Sequence, residues 1–277
     1  MFTYLRPDVR EKLIDHGKLI RVDAQGRHLD PRQPPPNDSI ALNLLGPIPL
    51  PLGRGEEHPT VDWYAAVRST ELGEVESLAG TLRDSGGQHL FSALASSMAV
   101  NSVLVIGNAA ESESPLVRVH SSCLTGDVFG SRRCVCGPQL ESALDRISQD
   151  PQGGYLVYMA GHEGRGIGLW AKAATYLLQD EGENTYQANR SLGLPDDSRD
   201  FSDAAALLHF FVGERPMRLL TNNPKKLKDL TDFGLTSITA VKHVTGVDEW
   251  NRKYLAAKRD WGHGIGEEDI EQPDTND

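Results

Sequence analysis

Residues 118–137 read RVHSSCLTGDVFGSRRCVCG and contain every cysteine of the chain. Cys134 and Cys136 are separated by a single residue, and Cys123 lies eleven positions before Cys134. A close pair plus one remote thiol suits a single soft cation, reached by two thiolates from one turn and by the third from the end of a preceding strand. Thiolate ligands select Zn²⁺, which does no redox chemistry. Three protein ligands leave a position for water, as in catalytic zinc sites. His120 is available as a fourth ligand, which would close the site. The alternative is three inert core thiols, but their neighbours are Gly, Ser, Thr, Asp and Arg rather than apolar residues.

The rest of the composition limits the function classes. The chain has 277 residues, enough for one large or two modest domains. A net charge of −11 argues against nonspecific binding to nucleic acid or to an anionic membrane. An acidic protein still binds a polyphosphate where basic residues gather locally. Three cysteines do not make a disulfide framework and fit a reducing cytoplasm. Residues 1–13 lack a signal-peptide core, no apolar run approaches membrane-spanning length, and no fixed-period repeat is present.

Outward from the cysteines, the pattern predicts a mixed α/β fold. Ser102–Ile106 and Leu116–His120 read as a hairpin joined by the polar loop 108–115. Pro138 opens a helix whose Leu140, Ala143, Leu144 and Ile147 recur at helical spacing. Gly154–Met159 is a buried strand, Gly161–Gly168 a glycine-rich loop and Leu169–Asp180 a helix. A loop over 181–200 leads to a helix at Phe201–Phe211, and Met217–Thr221 and Ile238–Val241 are strands. Asn222-Asn223-Pro224 turns into a helix beginning with Lys225-Lys226. Towards the N-terminus, Leu90–Met98 and Val9–Leu19 read as helices, and Val61–Val67 as a strand or short helix. The prolines at 34–36, 47, 49 and 51 favour extended or edge segments. Residues 1–85 are expected to form an N-terminal extension for packing or oligomerisation, with a catalytic domain over 86–277.

The blocks RVHS-CLTGD, RC-CG-QLE, EGRGIGL, LLQDEG, SLGLPDDSRDF and RLLTNNPKKL, with a shorter YLAAKRDWGH near the C-terminus, resemble the GTP cyclohydrolase II family over residues 103–264. The resemblance implies a GTP cyclohydrolase II-like fold, a homodimer and a nucleoside triphosphate substrate. It also implies catalytic zinc on Cys123, Cys134 and Cys136, lowering the pKa of bound water. Mg²⁺ would accompany the triphosphate, held mainly by the substrate. Glu163, Gly164 and Arg165 would approach the ribose triphosphate, where glycines admit close backbone contact and arginine clamps phosphate oxygens. Arg118 and Lys226 would add phosphate contacts. Ser121, Ser122, Gln139, Thr185 and Thr221 would line the substrate site, and Tyr176 would lie near the ring chemistry. Asp197 would accept a proton, and Arg199 would act at the α-phosphate during pyrophosphate release. Read without the resemblance, EGRGIG is a tight turn, Lys225-Lys226 a solvated helix start, Thr221 a strand end, Tyr176 half-buried packing and DDSRD a polar loop.

Four departures from the family pattern bear on the base. Ser122 replaces an acid in HSECLTGD, Val135 an acid in RCDCG, Gly161-His162 the pair before EGR, and Gln187 an acid in DTVEAN. A carboxylate suits the adjacent N1–H and 2-amino donors of guanine, whereas a carboxamide suits the donor beside acceptor of uracil. The departures therefore resemble the family's uracil-degrading branch, and UTP ring opening to phosphoribosylurea and malonic semialdehyde is the first expectation. In that picture His162 shuttles a proton, or else merely faces solvent or caps its turn. GTP ring opening is the second expectation, and an inactive nucleotide-binding relative the third.

Overall fold

The computed structural model describes residues 5–35, 40–53, 59–85 and 98–271, with backbone alone at 78 and 80–85. Helix α1 (Pro7–Asp15) precedes strands β1 (Leu19–Asp23), β2 (His28–Leu29), β3 (Ala41–Pro51) and β4 (Thr60–Arg68), and then helix α2 (Ser69–Ser85). The remainder alternates: β5 (Asn101–Ile106), β6 (Leu116–Ser121), α3 (Cys136–Gln149), β7 (Gly154–Met159), α4 (Gly168–Asp180), α5 (Thr185–Ser191), α6 (Ser202–Phe211), β8 (Met217–Leu220), α7 (Pro224–Asp232), β9 (Ile238–Val241), α8 (Arg252–Asp260) and α9 (Glu267–Glu271). This is the expected mixed α/β architecture.

All nine strands form one sheet in the order β2-β1-β3-β4-β5-β7-β6-β8-β9. Pairings are antiparallel from β2 to β7 and parallel from β7 through β6 and β8 to β9. The expected hairpin of β5 with β6 is therefore absent, because β7 lies between them. The reason is burial. Gly154–Met159 is apolar on both faces, as a central strand must be: Tyr155, Val157 and Met159 pack on one side, Leu156 and Tyr158 on the other. Helices α6 and α7 cover the first face through Ala204, Leu207, Leu208 and Leu230, and α3 covers the second through Ala143, Leu144 and Ile147.

The prolines of β3 fall beyond its ladder with β1, which ends at Leu45, so the proline-bearing half is open on that side. Residues 60–68 are a strand rather than a helix. The loop expected over 181–200 contains α5, announced by an N-cap signal at Asn184. The helix expected at Leu90–Met98 falls almost wholly outside the described residues. The N-terminal strands continue the sheet of the later strands directly, since Asp62–Ala66 of β4 pairs with Asn101–Val105 of β5. No helix among the described residues is long and apolar enough to cross a membrane.

Strand spacing fixes Gly154, where an added Cβ would lie 1.8 Å from the Leu116 carbonyl oxygen. Gly73 in α2 has nothing within 4 Å of such an atom. Gly154→Ala is expected to cost about 3 kcal/mol or more by overpacking, whereas Gly73→Ala is expected to stabilise by about 0.5–1 kcal/mol. Denaturant melts of both variants check this pair.

Candidate metal and nucleotide site

One cavity opens where the parallel strands end, the usual place for ligands in open α/β sheets. The end of β6 and the segment after it supply Ser121, Ser122 and Cys123, the segment after β7 supplies His162–Arg165, and that after β8 supplies Thr221–Asn223 and Lys226. Helix α3 adds Cys136 and Gln139, α4 adds Lys172 and Tyr176, and α8 adds Tyr254 and Lys258.

The three cysteines are free, and their sulfurs all lie within 4.8 Å of one another. Cys123 Sγ and Cys134 Sγ are 3.7 Å apart, close to the ~3.8 Å edge of a tetrahedron with Zn–S bonds of about 2.3 Å. A Cβ on Gly126 would come within 3.0 Å of Cys134 Sγ and 3.1 Å of Cys123 Sγ, so only glycine leaves this cradle open. The donor set and its spacing fit zinc. Hydrogen bonding from the Cys134 and Cys136 thiols, with the Lys172 ammonium adding to it, holds the Cys123 sulfur well below the usual thiol range. The same hydrogen bonding to Cys123 pushes Cys134 up to about 11 and Cys136 upward. Loading a metal must therefore release protons.

His120 is not a fourth member of the cluster. Its Nε2 faces both oxygens of Asp127 at 3.1 Å. Asp127 also accepts from Cys123 N–H at 3.0 Å and from Tyr158 O–H at 2.9 Å, which fixes the backbone of the first cysteine. Glu163 does similar work: it accepts from Leu124 N–H at 2.7 Å and from Lys172 Nζ at 2.6 Å. Lys172 Nζ in turn donates to Cys123 Sγ at 3.1 Å. Burial pulls the Lys172 ammonium down, but Glu163 and Cys123 more than offset it, so it stays charged. Tyr176 O–H is 3.1 Å from Thr125 Oγ1, which is 3.7 Å from Cys123 Sγ.

Beside the thiols is a shell of cations. Arg118 donates to the Leu220 carbonyl and to Gln139 Oε1, leaving its buried Nε without a partner. Arg165 donates to the Thr185 carbonyl and lies over the Tyr186 ring, with one buried Nη unpartnered. It sits at φ 66° between Gly164 and Gly166, a left-handed turn costly for a non-glycine residue. The ammonium of Lys226, 4% exposed, donates to the Val119 carbonyl at 2.6 Å and to no other group among the described residues. Burial drives its pKa well down, and likewise pulls Arg118 to about 10 and Lys258 to about 8. Thr221 Oγ1 accepts from Asn223 N–H, and Asn223 caps α7, so that hydroxyl helps build the turn it borders.

Arg199 is largely but not fully buried and is gripped by Asp197, with Nε to Oδ1 at 2.9 Å and Nη2 to Oδ2 at 2.5 Å. Arg199 lines the cavity and Asp197 does not. The arginine holds the Asp197 carboxyl below its usual range, against the upward pull of burial. Asp197, expected as a proton acceptor, is thus paired with Arg199 rather than facing the cavity. His162 is neither solvent-facing nor free. Its Nε2–H donates to the Asp200 carbonyl at 2.9 Å, and Nδ1 accepts from Ser121 O–H at 3.1 Å.

The four departures now divide. Ser122 and His162 border the cavity, and Ser122 O–H is tied to the Ala160 carbonyl at 2.8 Å. Val135 points into a small core with Val247, Leu255, Ile265 and Ile270. Gln187 is exposed, and its Oε1 closes a capping box by accepting from Asn184 N–H at 2.8 Å. It does not line the cavity. Sequence reading passed over Asp127, Lys172, Tyr254, Lys258 and His263. Lys172 lies four residues before Tyr176 on the same helix face, a usable signal. The last three belong to the YLAAKRDWGH block.

A family model described as GTP cyclohydrolase II matches residues 87–242, more than half the chain, and the chain belongs to that family. Among its relatives is a riboflavin biosynthesis protein RibBA of Nocardia farcinica, 49% identical over 174 residues, 62% of this chain and 42% of that protein. The monofunctional riboflavin biosynthesis protein RIBA 3, chloroplastic, of Arabidopsis thaliana is 48% identical over 174 residues, 62% of this chain and 34% of that protein. A RibBA of Mycobacterium tuberculosis is 50% identical over 162 residues, 58% and 38% respectively. The match thus spans less than half the length of these relatives.

Two outcomes are expected. Cys134→Ser loses tightly bound zinc, measured by metal analysis after dialysis against a weak chelator, while Cys134→Ser and wild type keep the same far-UV spectrum. Burial also pulls His162 and His243 down to about 4. Both are neutral in the folded state above that value, whereas the unfolded chain binds their protons below about 6.5. The contribution of these two groups to stability is therefore full above pH 6.5 and falls as pH drops toward 4, by a few kcal/mol in all, about 1.4 kcal/mol per unit and group at most. Urea melts across this window check the sign.

Proposed function

We propose that the chain is a zinc-dependent cyclohydrolase that opens the imidazole ring of GTP, giving a diaminopyrimidine ribosyl phosphate, formate and pyrophosphate. One observation carries the reading: a three-thiolate cluster shares a cavity with Arg118, Arg165, Lys226, Lys258 and Arg199. A soft metal site and a polyanion cradle at this distance suit a nucleoside triphosphate whose base meets the metal. Guanine is preferred over uracil on two grounds. The family description and the riboflavin names of the relatives point to GTP. The uracil expectation rested on Gln187, whose carboxamide is taken by a helix cap.

Cys123, Cys134 and Cys136 would hold the zinc, which when bound supplies Lewis acidity and a water acidic enough to react near neutrality. The chain's own groups do the rest. Lys226, Arg118 and Arg165 bind phosphate oxygens through donors that the fold leaves unsatisfied, and Lys258 adds charge. Asp197 holds Arg199 toward the α-phosphate, where it stabilises charge during pyrophosphate loss. His162 orients the Ser121 hydroxyl, and Gln139 orients Arg118. Tyr176 and Thr125 border the sulfurs, where a ring would react. Thr185 and Thr221 shape the walls. Mg²⁺ would travel with the triphosphate, since Glu163 and Asp197 are already paired with Lys172 and Arg199. Exposed Val128, Phe129, Trp170 and Leu177 support pairing as a homodimer.

The test is pyrophosphate release by the zinc-loaded chain with GTP and UTP separately. GTP is expected to give pyrophosphate and a new diaminopyrimidine chromophore, and Gln187→Glu is expected to leave the GTP:UTP ratio unchanged. Loss of uracil absorbance with UTP, and silence with GTP, would overturn the base assignment. Silence with both would favour a nucleotide-binding protein without turnover.

A further inference from the structure

The N-terminal strands lie outside the residues that match the family model, yet one of their side chains reaches the loop that carries Arg199. Arg68 is the last residue of β4. Its Nε donates to Asp203 Oδ1 at 2.7 Å, and its Nη2 donates to Asp200 Oδ2 and to Ser202 Oγ, both at 2.9 Å. Asp200 is fastened further by Ser202, whose N–H and O–H donate to its two carboxylate oxygens at 2.9 and 2.8 Å. The Asp200 backbone carbonyl is the group that His162 Nε2–H meets, and His162 holds Ser121. Asp203 also accepts from Asn101 Nδ2 at 3.2 Å, and Asn101 Oδ1 accepts from Ala160 N–H at 3.1 Å in the segment after β7.

The same loop is held at its other end from within the family core. Ser198 N–H donates to the Arg165 carbonyl at 3.0 Å, and Lys225 Nζ donates to the Arg199 carbonyl at 3.1 Å. Arg199 thus sits between two tethers, one from the EGRG turn and one from Arg68. A guanidinium fork with three charge-assisted bonds is a rigid tether that lysine cannot reproduce.

We propose that Arg68 is a positioning residue for the loop at 197–201 and the start of α6, through which the N-terminal strands set the place of Arg199 and of the His162–Ser121 pair in the cavity. The proposal rests on the reading of Arg199 as a phosphate-facing group. It gives the N-terminal region a role in the site beyond packing.

The test uses the full, zinc-loaded chain with hydrogen exchange and inorganic triphosphate binding as readouts. In Arg68→Met, the amides of Ser198, Arg199 and Ser202 are expected to exchange roughly tenfold faster and triphosphate affinity to fall about tenfold, the scale of a lost charge-assisted bond. Zinc content and exchange in β6 and β7 stay at wild-type values, and Arg68→Lys recovers part of the affinity. Asp200→Asn, which removes the partner and not the strand residue, is expected to act in the same direction and serves if Arg68→Met does not fold. Wild-type exchange and affinity in a folded variant would overturn the proposal. So would faster exchange spread evenly over the sheet, which would mark a purely structural role. Absence of GTP turnover in wild type would count against the proposed reaction and would leave these two readouts intact.

Discussion

Buried basic side chains with unmet donors, set beside a cluster of sulfurs, are the constraint around which this structure is built. Lys226 is almost wholly buried and has a backbone carbonyl as its hydrogen-bond partner, with no carboxylate ion pair among the described residues. Arg118 and Arg165 each leave a buried nitrogen unmet. Burying such groups without a counter-charge costs several kcal/mol apiece, and a native fold retains them where a ligand completes them. The proposed triphosphate would meet that need. The thiols impose the complementary demand, since they lie too close together to ionise jointly without a cation.

The sheet makes the two demands meet. Three parallel strands end side by side, and each delivers one element of the site within a few residues of its last hydrogen bond. β6 delivers Ser121 to Cys123, β7 delivers the left-handed EGRG turn, and β8 delivers the capped start of α7 with Lys226. The carboxylates at the site are used internally. Asp127 fixes the Cys123 backbone, Glu163 joins Leu124 to Lys172, and Asp197 aims Arg199. Beside the sulfurs, the cavity lining is rich in donors, which suits an anionic guest and a metal held by sulfur.

Much of this was legible from the chain itself. The helical spacing of Leu140, Ala143, Leu144 and Ile147, the uninterrupted apolar run of β7 and the Cys-x-Cys pair each report a local requirement, and local requirements survive folding. Strand order was not legible. β5 and β6 are neighbours in sequence, but the partner of a strand is decided by which strand can be buried on both faces, and that is a property of the whole sheet. Gln187 lies away from the cavity for a related reason. Its type fitted a uracil edge, but the Asn184-x-x-Gln187 spacing is also a capping box, and the backbone claimed the carboxamide. The roles of Lys172 and Arg68 depend on contacts across the fold, Arg68 with residues about 135 positions away, and no short-range pattern encodes them.

The central claim is that three thiolates of one chain hold a single zinc ion with a position left open toward the cationic side chains of the cavity. Zinc-edge X-ray absorption on the purified protein addresses it directly. The account expects three sulfur scatterers at about 2.3 Å and one lighter atom near 2.0 Å. A first shell without sulfur, or one closed by four sulfurs, would contradict it.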